Sequence, residues 1–412
     1  MLPRFLTHLL FLILSTSIKT NLFAYTAYFS NATHNTVTVV DTTNNLAIAT
    51  IPVVSSAYSL AITPNGRYLY VSGLNGNISV IDTSDNTVID TIVVGNPRHI
   101  AISPDGESLY VTNISTTNVN IYSTATNAFL SSIAIGELTA IIAINPAGTL
   151  AYVAGISSTI YIVNLHNNSI ESTITSAPDV NYILFSTDGT KVYVANTRPG
   201  PSDTILVYDA TTHTLSNTIT VGNYPFSIVS TPNGEFLYVT NELSHTVSVI
   251  NTESNTVTNT ISLASGSGPD GIAITPDGTT LYTANYSAGN SSMINAANNT
   301  VTIGVVLAAG LTDVLIAPLA TPASLSGSQK INDFGVRYEL YNILKWTPSI
   351  TPATIGYNIY RNGTLIGSTS GINATTYVDH NREEGASYQY SVRSRASNGD
   401  LSFPVTVTIY QR

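Results

Sequence analysis

Five side chains that could move protons or orient a charged ligand, Arg98, His99, Tyr182, Asp270 and Asp313, lie up to 215 residues apart in a chain of 412. They share a place, not a neighbourhood. Aligning the chain on the turn residues Pro64, Pro104, Pro146, Thr187, Pro232, Pro276 and Pro318 puts each at one of two adjacent positions ahead of the turn, together with Tyr58, Asn181 and Phe226. Two carboxyls and an imidazole could serve as general acid and base, and an arginine is a bidentate donor to anions. The ends of strands b and the turn position of the alignment each hold two residue types, whereas these vary, as a specific pocket would. Several chemistries are excluded. There is no Cys for a thiol nucleophile or a thiolate metal site. Of the seven His only His99 is so placed, too few for a multi-histidine copper or iron centre. No G-x-S-x-G elbow or phosphate loop occurs. No catalytic residue, metal or cofactor is therefore assigned. The eight residues read as a ligand-binding ring, and a lactonase-like or lyase-like site using His99, Asp270 and Asp313 is the enzymatic alternative.

The elements that must hold such a ring are strands. Charged residues make up 9% of the chain against roughly 25% in ordinary soluble domains, while 43% is hydrophobic and 24 positions are Tyr. That excludes disorder and disfavours helical bundles. A Gly-ended turn followed by a Tyr-centred strand recurs at Gly66, Gly106, Gly148, Gly189, Gly234 and Gly278, at intervals of 40, 42, 41, 45 and 44. The second unit gives the pattern in full: residues 97–103, the turn 104–106, then 109–113, 119–123 and 128–136. Four short strands in about 40 to 45 residues make one blade of a β-propeller. The chain enters partway through a unit, with residues 26–31, 35–41 and 46–53 supplying strands b, c and d. The missing strand a returns at 311–318. Six whole units and one split unit predict an all-β, seven-bladed ring fastened by its own ends, leaving no blade with an open edge.

The tetrapeptide YVTN at 110–113 and 238–241, with YFSN, YVSG, YVAG, YVAN and YTAN elsewhere, resembles the YVTN-repeat family of seven-bladed propellers over residues 25 to about 318. That resemblance implies a cell-surface or exported periplasmic protein. Past Leu319 a different pattern begins. Trp346, the segment 356–363 and the segment 387–392 with Tyr388 at a tyrosine-corner position resemble a fibronectin type III domain, so 319–412 is expected to be a β-sandwich.

Residues 1–24 read as a signal peptide. Arg4 precedes an apolar run from Phe5 to Leu14, about 15 Å long as a helix against the roughly 30 Å of a bilayer core. Cleavage is expected after Ala24, with Ser17 as the alternative, and the mature chain carries no apolar run of transmembrane length. Residues 25–318 hold four basic against 18 acidic side chains, net −14, and residues 319–412 are net +2. An acidic ring disfavours nucleic acid. Two recurrent residues have local readings. Asn or Gly ends every strand b, which suggests a positive φ there. Asp, Asn or Ser ends every strand c, which suggests Asx-type turns. The whole reads as an exported, non-enzymatic binding or cell-surface protein whose propeller face presents a site for a protein or glycan partner. A propeller enzyme acting at the channel mouth and a surface-layer structural component are the alternatives.

Overall fold

The computed structural model describes residues 25–175, 179–197, 203–318, 325–333, 338–349, 354–380, 382, 386–396, 401–402 and 405–410. The signal peptide and its cleavage site fall outside these residues.

Each repeat unit forms a four-stranded antiparallel sheet with its strands in the order a, b, c, d, and seven such sheets close a ring. Strand b of the third blade, Ser108–Asn113, is buried at every position but its first, and the same pattern recurs in the other six strands b. Both faces of the sheet pack on neighbouring blades, which is why these strands read as apolar runs without alternation. Seven apolar clusters fill the seven spaces between successive blades. The split blade closes as the repeat predicts. Leu311–Ile316 pairs antiparallel with Thr26–Asn31, setting Phe29 opposite Val314 and Ala27 opposite Ile316.

Two hydroxyl contacts recur and explain the repeat motif. The Tyr of strand b sends its hydroxyl to the c–d turn of the next blade. Tyr28 donates to Asn86 Oδ1 at 3.4 Å, Tyr70 to Asn127 Oδ1 at 3.0 Å and Tyr282 to Asn45 Oδ1 at 2.6 Å. These Asn residues are left-handed, with φ of 59°, 57° and 57°. The Thr or Ser two residues after the Tyr joins strand a of its own blade to strand a of the next. Thr112 Oγ1 accepts the His99 N–H at 2.9 Å and donates to the Ala140 carbonyl at 3.1 Å; Thr240 does the same for Ser227 and Asp270. Thr112→Val should therefore cost about 1–3 kcal/mol, because it leaves a buried N–H and carbonyl unpaired. A denaturant melt checks this, and an unchanged midpoint would deny the hydroxyl its role.

The Asn or Gly that ends strand b does not adopt the positive φ expected of it; none of these seven residues is left-handed. The side chain does the work instead. Asn113 Oδ1 accepts the Ser115 N–H at 2.7 Å while its Nδ2 donates to the Gly95 carbonyl, tying the b–c loop to the loop that enters the blade. Where Gly155 takes this place, Glu137 of the entering loop fills the space a Cβ would occupy and accepts the Ser157 N–H at 3.1 Å. The strand-c ends are Asx turns as expected: Asp41 Oδ1 accepts the Thr43 N–H at 2.8 Å, and Asn164 Oδ1 the His166 N–H at 2.8 Å.

The C-terminal unit is a β-sandwich. One sheet orders Leu325–Asp333, Tyr338–Trp346 and Thr376–Asp379; the other orders Thr364–Ser370, Thr354–Arg361, Tyr388–Ala396 and Val405–Ile409. Trp346 packs edge-on against Tyr357, with ring centroids 5.3 Å apart. Asp379 accepts the Tyr390 hydroxyl at 2.6 Å and pairs with Arg361 at 2.9 Å.

Candidate functional site

Each strand a begins with a bulge, and the bulge makes the ring. Pairing with strand b slips between Ala57 and Leu60, Pro97 and Ile100, Pro225 and Ile228, and Pro269 and Ile272. The two residues inside each slip are freed from the ladder and can turn toward the channel mouth. They include Tyr58, Arg98, His99, Phe226 and Asp270. A shorter slip between Val180 and Tyr182 frees Asn181. Six of the eight positions singled out by alignment are thus irregular ones, set by the backbone, while Tyr182 and Asp313 stay in the ladder opposite Ala195 and Ser30.

Six of the eight candidates, Tyr58, His99, Asn181, Tyr182, Phe226 and Asp313, line one cavity of about 30 Å³ at the mouth. Arg98 and Asp270 stand beside it. Asp313 is the best-fixed group. Its Oδ2 accepts the Leu60 N–H at 3.0 Å and its Oδ1 the Val314 N–H at 2.9 Å. Burial nonetheless pushes its carboxyl up to about 7, with these two bonds pulling the other way. The neighbouring blade leaves room for it only by having no side chain: a Cβ on Gly271 would stand 2.7 Å from Asp313 Cα and 2.9 Å from its Oδ1.

Asp270 is buried and its Oδ1 has no partner. Burial first, then the charges of Glu242 and Asp313, raise its carboxyl to about 9. Arg98 lays its guanidinium 5.9 Å from the centre of the Tyr58 ring and leaves its Nε unpartnered. Among the described residues no ion pair joins Arg98 to either carboxylate. His99 meets Tyr182 edge to face at 5.9 Å. Burial, and then Arg98, lower its imidazole to about 4, so it is neutral. The Ile142 backbone acts against the shift, and Nδ1 is sealed off without a partner. Burial raises the Tyr182 phenol well above its usual range. Asn181 Nδ2 donates to the Pro225 carbonyl at 3.3 Å.

Sequence alignment missed Glu242. It follows Asn241 in a b–c loop, where the equivalents are Ala32, Leu74, Ile114, Ile156, Thr197 and Tyr286. It is the one charged residue of that set, a signal that comparing loop positions would have found. Burial raises its carboxyl, with His245 acting against the shift. A larger groove of about 810 Å³ lies among the a–b turns of blades six and seven. Its Asp277 is occupied by its own turn, accepting the Thr279 hydroxyl at 2.8 Å. Among the described residues no group of three or more His, Asp or Glu could hold a metal ion, and no helix is long and apolar enough to cross a membrane.

Fold and site together define a seven-bladed propeller with paired, high-pKa carboxyls at one end of its channel. Residues 142–260 match the family model described as lactonase, 7-bladed β-propeller, and residues 19–141 match the cytochrome D1 heme domain. Among solved structures, hydrazine synthase of Kuenenia stuttgartiensis is similar at 20% identity and TM-score 0.61, over 69% of this chain and 99% of that one. Dihydro-heme d1 dehydrogenase NirN in complex with DHE is similar at 12% identity and TM-score 0.57, over 70% and 74%. A functionally unknown protein from Desulfotomaculum acetoxidans is similar at 19% identity and TM-score 0.60, over 71% and 98%. At these identities the structures establish the fold. No curated protein matches. The family matches overturn the expectation of a non-enzymatic binding or surface protein: they lie with an enzyme family and a heme domain. They agree better with the enzymatic alternative, a lactonase-like or lyase-like propeller with its site at the channel mouth.

Proposed function

We propose that the chain is an exported propeller hydrolase that opens lactones or related esters at the channel mouth, with Asp313 as general base and Asp270 as general acid. The observation that carries this reading is the convergence of Asp313 and Asp270 at the bulged strand starts, in environments that hold their carboxyls at about 7 and about 9. The mouth cavity, about 30 Å³, has the size of one water. Asp313 takes a proton from that water as its oxygen attacks the carbonyl carbon. The buried, unpartnered Arg98 Nε–H is the donor this reading assigns to the developing oxyanion, and the ring C–O bond then breaks as protonated Asp270 gives its proton to the leaving alkoxide. The match to the lactonase model over 142–260 supports the substrate class.

The heme-domain match invites a heme at the same mouth, and the residues do not fit one. His99 is the only imidazole lining the cavity. Its Nδ1 is sealed from solvent, and a mouth cavity of about 30 Å³ leaves no room for a macrocycle. The leader-like residues 1–24 support export to the periplasm. Within this reading the ring spans residues 25–318 as a YVTN-type propeller. The sandwich, 319–412, is a fibronectin type III-like module, favoured by its three-plus-four sheet order.

Turnover of γ-butyrolactone followed by pH-stat tests the proposal. The rate should be bell-shaped in pH: rising through about 7 as Asp313 ionises and falling through about 9 as Asp270 loses its proton, with the two limbs belonging to the coupled pair. Absence of turnover across lactones and simple esters, or a flat profile between these limits, would refute it.

A further inference from the structure

Strand a is the inner edge of every blade, at one end of each sheet's order, with no strand paired on its other side. In three blades the turn that follows fixes its phase. The Ser103 N–H bonds the Ser108 carbonyl at 2.9 Å, the Asn145 N–H the Leu150 carbonyl at 2.9 Å and the Ser186 N–H the Lys191 carbonyl at 2.9 Å. Alternate residues of an antiparallel strand face their partner, so the intervening ones, Ile100, Ile102, Ile142, Ile144, Ile183 and Phe185, turn their N–H and C=O toward the channel. All six line a second cavity, of about 330 Å³, below the mouth. Leu60 and Val314 hold the same place in the second blade and the split blade, and there the free N–H groups are met by Asp313, at 3.0 Å and 2.9 Å. The outer end of the cavity lies among the a–b turns opposite the mouth, where Ser186 is half-buried and Thr187 exposed. Its inner end is Asp313 with His99 and Tyr182, which line the mouth cavity as well.

Backbone N–H and C=O groups that no strand reaches are satisfied by water, so a channel edged with them is wet. From His99 to Pro104 strand a advances roughly 16 Å, at about 3.3 Å per residue. Waters at a hydrogen-bond spacing of about 2.8 Å cover that with about six molecules, and the cavity has room for about ten at roughly 30 Å³ each. We propose that the channel holds a continuous file of water that carries the proton taken up by Asp313 to solvent at the face opposite the mouth. This rests on the hydrolase reading and supplies the step that follows ring opening, the recovery of the base. The two N–H bonds leave lone pairs on both Asp313 oxygens, so a channel water can meet the protonated carboxyl. The O–H bond on Asp313 breaks, the channel water gains the proton, and each water passes one on until bulk solvent or buffer takes it at the a–b turns. Asp270, absent from the channel lining, recovers its proton at the mouth. The base is thereby restored while product still fills the mouth.

Two measurements on the full chain test this. A crystal structure that resolves ordered water should show an unbroken file from Asp313 to Thr187, bonded to the free edges of Ile100, Ile102, Ile142 and Ile144. Ala101→Leu and Ala143→Leu enlarge two lining side chains and should interrupt the file. In both variants kcat for γ-butyrolactone should fall by about tenfold while kcat/KM holds, because recovery of the base follows ring opening. Their kcat should then climb with the concentration of a small buffer such as imidazole, which reaches Asp313 from the mouth between turnovers, while the wild type stays flat. A packing defect alone would not respond to buffer. Should either variant fail to fold, the water structure of the wild type still decides, since a dry or broken channel overturns the proposal whatever the kinetics. Turnover unchanged in both variants and indifferent to buffer would overturn the proton path and leave the hydrolase standing. An unbroken file in a protein that turns over no lactone would defeat the hydrolase reading and, with no proton to carry, this proposal too.

Discussion

Asp313→Asn should lower lactone turnover by a hundredfold or more, because it removes the base that takes the proton from water, a role worth about 10²–10⁴ in rate. The loss should appear in kcat more than in KM, and the alkaline rise of the pH profile through about 7 should vanish with it. Folding should survive, since the amide oxygen can still accept one of the two N–H groups now bonded to the carboxylate. Stability supplies an independent readout through Asp270. A carboxyl raised on folding contributes stability that is complete below its unfolded value near 3.8 and is lost as pH rises through its folded value, about 9. Asp270→Asn has no hydrogen bond at Oδ1 to lose. The variant should therefore melt progressively higher relative to the wild type from about pH 4 up to about pH 9, by on the order of a few degrees, with no further divergence above that. Thermal scans across that range decide the matter. Parallel curves would mean that Asp270 is not held protonated in the folded ring, and the general-acid assignment would fall with it.

The ring was legible in the sequence because its backbone is repeated. Seven turns at near-constant spacing left only one arrangement, and the missing strand a at one end matched the surplus one at the other. The positions of the mouth residues were legible too, since the strand-a bulge recurs with the repeat and alignment on the turn residues falls on it. What alignment could not deliver is how each side chain is used. Asn113 and its equivalents looked like backbone requirements because Asn and Gly share one conformational freedom. Their real constraint is an approaching loop, which Asn bonds and which Gly155 admits as Glu137. Asp270 and Asp313 read from the sequence only as two carboxyls of one ring, and their burial, which keeps protons on them near neutral pH, depends on packing across three blades. Glu242 acts on Asp270 from a loop of another blade, a relation that exists only once the ring is closed.

Closure itself is the feature on which everything at the mouth depends, and removing the last eight residues of the ring should destroy it. A chain ending at Gly310, compared with one ending at Pro318, lacks Leu311–Ile316, the inner strand of the split blade. It loses the ladder to Thr26–Asn31 and the buried side chains of Leu311 and Val314, each worth about 1.5–3 kcal/mol. It also loses the Thr312 hydroxyl, which donates to the Ala57 carbonyl at 2.9 Å and so joins this strand to the next blade. The strand Thr26–Asn31 is left as an unpaired edge carrying buried Phe29 and Ala27, an invitation to pair with another chain. The shorter chain should melt far below the longer one and scatter light on warming, whereas the chain ending at Pro318 should keep the melting transition of the ring. Adding the octapeptide 311–318 in excess should recover part of the lost stability, as any ligand of the folded state does. Equal melting of the two truncated chains would mean that the ring closes without this strand, and that Asp313, carried on it, is not fixed at the mouth where the acid–base chemistry needs it.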